Sequence, residues 1–349
     1  MATAVEAGAP SGGARSSPLA FLNTRSGRLG LYIVKRILWM VPVVFFVILV
    51  TFVLMHGAPG SPWDRGGGRQ LSAAVMHNLD VKYGLDKPLP EQFMLYLNNV
   101  VHLDFGDSYQ SAGVKVSTLI LQGWRYTATI GVLAFLLIVP IGIGTGVLAA
   151  LRHNTRTDAI LLGMSTIGAS VPNFVVGVLL VLAFAVLPYG LSGGNFSLPS
   201  AGPPDPGAPL GIDAHLIMPV LTLSFLPIAY IARLTRSSTL DILQQDYVRT
   251  AWSKGLAERG VVTRHVLKNS LIPVVTALGP TFALLVTGSI VVETVFQIPG
   301  VGREFINAIS SHDYPMILAL VIQFAIVIAV ANLVVDLLYV VIDPRIRLE

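Results

Sequence analysis

The 349-residue sequence contains no cysteine, and only 12% of it is Asp, Glu, Lys or Arg. The first absence removes disulfides, thiolate metal sites and thiol nucleophiles together, and it says nothing about compartment because the chain uses none of them. The second leaves about half the charge of a soluble domain, while 53% of the residues are hydrophobic and the mean hydropathy is +0.71. A surface so poor in charge must face lipid over much of its area. No stretch reads GxxxxGK[ST]. Gly66 to Gly68 are followed by Arg69 and Gln70, not by the lysine and hydroxyl that phosphates and magnesium require. The pI near 9.4 does not point to nucleic acid, because the cations are not gathered with interleaved aromatics.

What the chain does have is long apolar sequence. A membrane-crossing helix needs about 20 apolar residues, and residues 32–55, 127–151, 159–187, 216–234, 271–292 and 316–342 each qualify. The expected fold class is therefore an all-α membrane protein with six transmembrane helices. Arg28, Lys35 and Arg36 precede the first apolar core without a convincing cleavage site after it, which reads as an uncleaved signal anchor. Residues 1–30 read as a disordered tail rich in Gly, Ala and Ser, and residues 31–349 as the transmembrane domain. With both termini inside, sixteen of the 23 Lys and Arg fall on the cytoplasmic side, and six of the other seven sit in the long loop 56–126. Positive loops stay in the cytoplasm, so both termini and the loop 235–270 are placed there, with 56–126 outside. In that outer loop, Phe93, Leu97, Val100 and Val101 gather near one helical face before a turn at Gly106. Residues 193–209 carry too much Pro and Gly for a regular element.

The cytoplasmic loop contains QDYVRTAWSKGLAERG (245–260), charged where its surroundings are apolar. Read as one helix over 237–254, it aligns Leu240, Leu243, Tyr247 and Ala251 on a stripe. Gly255 stands where a left-handed glycine would stop that helix, with Lys254 at the negative end of the dipole. A second helical run follows from Leu256, broken near Gly260.

DYVRTAWSKGL and HVLKNSLIPV (265–274) resemble the cytoplasmic signature loop of bacterial ABC-importer permeases, in the form found in the dipeptide, oligopeptide and nickel branch. LDFGDSY (103–109), ETVFQIPGVGR (293–303), DYP (313–315) and DLLYVVIDPRIR (336–347) match the same branch in order and spacing. The general motif is Glu-Ala-Ala, three residues, then Gly. Here Arg249, Thr250 and Ala251 take the first three places and Gly255 the last, so the glutamate is missing, as is usual in the peptide branch. The resemblance implies a type I importer permease fold whose coupling helix docks into a cytoplasmic ATPase through Tyr247, Arg249, Thr250, Ala251, Lys254, Gly255 and Leu256. It also implies a second permease subunit, two ATPases that bind ATP and Mg, an extracytoplasmic binding protein, and a peptide cargo or, alternatively, nickel.

Other features carry weaker chemistry. GIGTG (142–146) lies inside an apolar helix, where small residues four apart mark helix packing. Ser192 satisfies GxSxG but precedes a Pro-rich loop and lacks a strand before it, so no catalytic residue is expected. His56, His77, His102, His215 and His312 show no metal-ligand spacing, and no metal site is expected. Asp336 and Asn332 share a face of the last span. An intramembrane carboxylate marks a pathway or an inter-helix contact, and here the packing contact is favoured. Asp336 is also the one midplane relay a proton-driven carrier could use. Glu293, near the outer end of the fifth span, is expected to reach the membrane interface. Pro42, Pro140, Pro172, Pro219, Pro227, Pro273 and Pro280 interrupt the spans, which suits a bundle that rocks.

Overall fold

The computed structural model describes residues 25–63, 72–111 and 113–342. Among them, six helical runs are long and apolar enough to cross a membrane: Gly30–Gly57, Val116–Leu151, Asn173–Leu191, Ala214–Leu243, Glu258–Val295 and Tyr314–Leu337. The only extended pairing among the described residues is an isolated bridge between Asp107 and Lys115. Exposed apolar side chains such as Trp39 (72%) and Leu54 (68%) give these helices a lipid-facing or partner-facing surface. The first helix, α1, spans Arg25–Gly57, so the last residues of the expected tail are helical. Residues 1–24 of that tail, and 343–347 of the last motif, lie outside the described residues.

The centre of the bundle is α4 (Val116–Leu151) packed along α7 (Ile217–Leu243), with α9 (258–287) against both. Helix α9 runs Glu258–Val261, passes through a π turn at Val262–Val266, and continues as Leu267–Thr287. Glycine permits this proximity. A Cβ on Gly142 would lie 2.8 Å from the side chain of Ile231, and one on Gly146 would lie 2.5 Å from the Ala232 carbonyl. Gly144, on another face, meets nothing within 4 Å. The GIGTG stretch is thus a packing seam, as its position inside an apolar helix implies.

The third apolar segment is two helices. α5 (Arg156–Ser170) ends before Val171 and Pro172, and α6 (Asn173–Leu191) makes the crossing. Proline disfavours a helical residue before it and lacks an N–H, and here it breaks the span outright. α6 contains a π turn at Leu182–Val186 just before Pro188. Pro188 cannot bond the carbonyl of Phe184, one turn back, and that carbonyl accepts the N–H of Leu198 instead (3.0 Å). A backbone group freed inside lipid is thereby satisfied by the loop above it.

At the end of the bundle opposite the start of α1, α2 (Ala73–Tyr83) and α3 (Leu89–Val101) form a short hairpin over α1 and α12 (Tyr314–Ile342). Phe93, Leu97 and Val100 pack into the cluster that α1 and α12 build, as the periodicity implies. Val101 does not: it is 79% exposed, because eight positions on from Phe93 the helix has rotated it off the buried face. Residues 193–208 form no regular element, in line with their composition.

Candidate functional site

The charged stretch folds as a knob with its own core. α7 ends at Leu243, Gln245 turns extended (φ −71°, ψ 144°), and α8 begins afresh at Asp246 and runs to Ser253. The single helix expected over 237–254 is therefore two, and the stripe from Leu240 to Ala251 is not one face. The break turns Val248 and Ala251 inward against Val261 and Val266, a small apolar cluster closed by Ile242 and Leu243. Gly255 follows α8 in the left-handed region, φ +74°, where its lack of a Cβ removes the penalty other residues incur. The next helix starts at Glu258 and passes unbroken through Gly260; its irregularity is the π turn at Val262–Val266.

Of the residues assigned to coupling, Tyr247, Arg249, Thr250, Lys254, Gly255 and Leu256 are exposed on the knob, whereas Ala251 is buried and belongs to its core. Trp252, not singled out from sequence, is 43% exposed, much as Tyr247 (41%) and Leu256 (45%) are. Its signal was an aromatic in a helix of eight residues that buries only Val248 and Ala251. Two cross-links lie at the base of the knob, of which the second ties it to a span. Ser238 Oγ donates to the Ser270 carbonyl (2.7 Å), joining α7 to α9, and Asn269 Nδ2 donates to the Tyr247 hydroxyl (2.8 Å). Nearby, Asp158 at the start of α5 is buried and accepts two hydrogen bonds from Arg236 of α7, from Nε at 2.6 Å and from Nη2 at 2.8 Å. Above all Arg236, against a contrary push from burial and with help from the Asn154 N–H, holds the Asp158 carboxyl well below the usual carboxylate range.

At the other end, Glu293 is buried rather than reaching the interface. It sits on α10 (Ile290–Val295), which restarts after α9 stops at Gly288 (φ +111°) and is capped by Ser289. Its carboxylate accepts from Thr127 Oγ1 (2.8 Å) and from the Arg303 N–H (2.9 Å), while Thr127 Oγ1 accepts the Val301 N–H (3.0 Å). This explains the glycines of ETVFQIPGVGR, because a Cβ on Gly300 would lie 2.3 Å from the Glu293 carboxyl carbon. LDFGDSY and DYP also meet. Buried Asp313 accepts from Ser108 Oγ and the Tyr109 N–H and caps the start of α12 at the Met316 N–H.

Asp336 pairs with Arg36 of α1, whose Nε lies 2.9 Å away with Nη2 in close contact. Asn332, one turn back, is half-buried and shares no hydrogen bond with it. Ser192 Oγ accepts the Phe196 N–H (3.0 Å), and no base bonds it among the described residues. Asp205, Asp213 and His215 come within 4.8 Å of one another, a grouping their spacing did not reveal. Asp213 already accepts the N–H groups of Asp205 and His215, so the cluster closes a turn of the chain on itself.

The family of binding-protein-dependent transport system inner membrane components matches residues 142–348, and its N-terminal region matches residues 30–123. The chain belongs to that permease family. The permease is 38% identical over 316 residues to the oligopeptide transport system permease protein OppB of Escherichia coli K12, covering 90% of this chain and 99% of that one. It is 37% identical over 318 residues to the dipeptide transport system permease protein DppB of Bacillus subtilis, at 91% and 98% coverage. Its fold is similar to that of the inward-facing MetNI methionine ABC transporter, with a TM-score of 0.50 and 16% identity over 65% of this chain and 97% of that chain. The permease is thus a multi-pass membrane subunit of an ABC importer, and the ATPase activity of such importers lies in partner subunits. Membership sets aside the proton-driven carrier, whose one candidate relay, Asp336, is engaged by Arg36.

Proposed function

We propose that this permease forms half of a peptide-conducting pathway and receives its driving motion through the knob at 245–260. Its relatives OppB and DppB are named for oligopeptide and dipeptide transport, and no relative named above favours nickel. In this assignment both termini and the knob are cytoplasmic, the α2–α3 hairpin is outside, and the permease pairs with a second permease subunit. Two ATPases hold ATP and Mg, and an extracytoplasmic binding protein delivers the peptide. The ATPases close on nucleotide, draw the two knobs together and favour the outward-open pathway, then release them after hydrolysis. Such a shift requires an interaction that differs between the states, and the ATPase closure supplies it.

One observation carries this assignment. A polar, self-cored module with three exposed large side chains, Tyr247, Trp252 and Leu256, projects from an otherwise lipid-facing bundle. Exposed aromatics around a rigid element are what a partner's cleft takes up. Because the chain has no cysteine, Trp252→Cys gives a unique thiol. It is expected to react with impermeant maleimide only from the cytoplasmic side and to form a disulfide with a cysteine placed in the ATPase cleft. Gly255→Pro, incompatible with φ +74°, is expected to leave insertion intact while separating ATP hydrolysis from uptake. Labelling of Trp252→Cys from outside, or full uptake by Gly255→Pro, would overturn the assignment.

A further inference from the structure

A polar cavity of about 540 Å³ opens at the end of the bundle that carries the α2–α3 hairpin. One wall is the first part of α4, which presents Gln122 and Arg125, and the facing wall is α11 (Val301–Ser310), which presents Glu304 and Asn307. The spacing explains the arrangement: Gln122 and Arg125 are three apart on one helix, as are Glu304 and Asn307 on the other, so each pair shares a face. The helices touch at their base, where a Cβ on Gly123 would lie 3.3 Å from the Val301 side chain. Gln110 closes the roof and is held there by bonds from its Nε2 to the carbonyls of Pro62 (3.1 Å) and Ser311 (2.8 Å).

The cavity's charges are unmatched within the fold. Asp313 lines it, but its oxygens are taken by Ser108, Tyr109 and Met316. Among the described residues, the side chains of Gln122, Arg125, Glu304 and Asn307 have no hydrogen-bond or ion-pair partner, and Arg125 and Glu304 do not reach each other. Arg125, whose guanidinium lies beside Gly211, and Glu304 thus line one cavity without closing on each other, flanked by two amides. The complementary guest is a zwitterion, with an anionic oxygen group for the Arg125 fork and an ammonium for Glu304. The volume is that of a small-molecule pocket.

We propose that this cavity is a receiving subsite that holds a short peptide by its charged ends as the peptide leaves the binding protein, with Arg125 on the α-carboxylate and Glu304 on the α-ammonium. This assignment rests on the peptide reading above. It differs from a general pathway in predicting that the ends of the cargo, rather than its side chains, are read here. An ethanolamine phospholipid headgroup presents the same pair of charges, so the test must separate the two sources.

The test uses the assembled transporter in nanodiscs without its binding protein, with p-benzoylphenylalanine in place of Asn307 and radiolabelled trialanine as the probe. Light is expected to attach the probe to this chain, and unlabelled trialanine to compete. Trialanine amide should compete about tenfold more weakly, the loss expected for one charge-assisted hydrogen bond; on an Arg125→Gln background the free acid and the amide should compete equally. N-acetyl trialanine should show the same pattern with Glu304→Gln. Equal competition by the free and blocked peptides on the unsubstituted charges would overturn the proposal. So would capture of the probe only in nanodiscs that lack ethanolamine lipid, with no dependence on the peptide's ends, since that would make the lipid the guest. In parallel, proteoliposomes with the binding protein report ATP-driven uptake of trialanine. No uptake there would remove the peptide reading itself, whereas intact uptake without dependence on the ends removes only this subsite.

Discussion

Gly300 and Glu293 are predicted to be one energetic unit, and a double-mutant cycle tests it. Gly300 has φ −94°, an ordinary backbone conformation, so alanine there costs nothing through strain. Its cost is steric, because the new Cβ would sit 2.3 Å from the Glu293 carboxyl carbon and 2.5 Å from Oε2. The carboxylate must move, and in moving it forfeits its bonds from Thr127 and the Arg303 N–H. Each buried donor left without an acceptor costs roughly 1–3 kcal/mol, so Gly300→Ala and Glu293→Ala are each expected to destabilise by about 2–6 kcal/mol. Because both lose the same bonds, the double variant should be about as stable as Glu293→Ala alone, with a coupling of at least about 2 kcal/mol. The assay is reversible unfolding of the purified permease in mixed micelles, following helicity against denaturing detergent. Additive effects would refute the reasoning, as would a Gly300→Ala variant indistinguishable from the parent.

Gly146→Val, whose side chain would run into the Ala232 carbonyl, is expected to abolish stable assembly, whereas Gly144→Val should be neutral; yield and detergent melting of the two report it. Gly255→Ala keeps the knob but imposes a left-handed alanine, costing about 1–2 kcal/mol, and should speed protease cleavage after Lys254 in inside-out vesicles, with Gly255→Asn affected less. The depressed Asp158 carboxyl gives stability that is present above the usual carboxylate range and lost as pH falls toward its folded value. The stability gap between the parent and Asp158→Asn should therefore be flat from about pH 5 to 8 and shrink below about pH 4. A gap that changes between pH 6 and 8 would refute the assignment to Asp158.

The six spans were legible because lipid imposes a length that sequence must satisfy, and the left-handed glycine at 255 was legible because few residues can occupy that conformation. The misreadings share a cause. Periodicity detects a face but not the residue at which the chain leaves the helix. Gln244 and Gln245 carry no breaker signal, and only the burial of Val248 and Ala251 against α9 makes the turn there worthwhile. The break at Val171 and Pro172 was visible as a proline, but its outcome, two helices rather than a kink, depends on what α5 and α6 pack against. Glu293 was misplaced because its donors, Thr127 and Arg303, are contributed by a distant helix and by the first turn of α11, beyond its own helix. Asp336 was read as a contact without its partner, since Arg36 lies 300 positions away.

The bond between Ser238 and the Ser270 carbonyl joins the two helices from which the knob springs. With α7 and α9 joined just inside the knob, a push delivered at Trp252 under the coupling proposed above would reach both helices and turn the pair together. The yielding points would then be the far ends of that pair, where α9 gives way at Gly288.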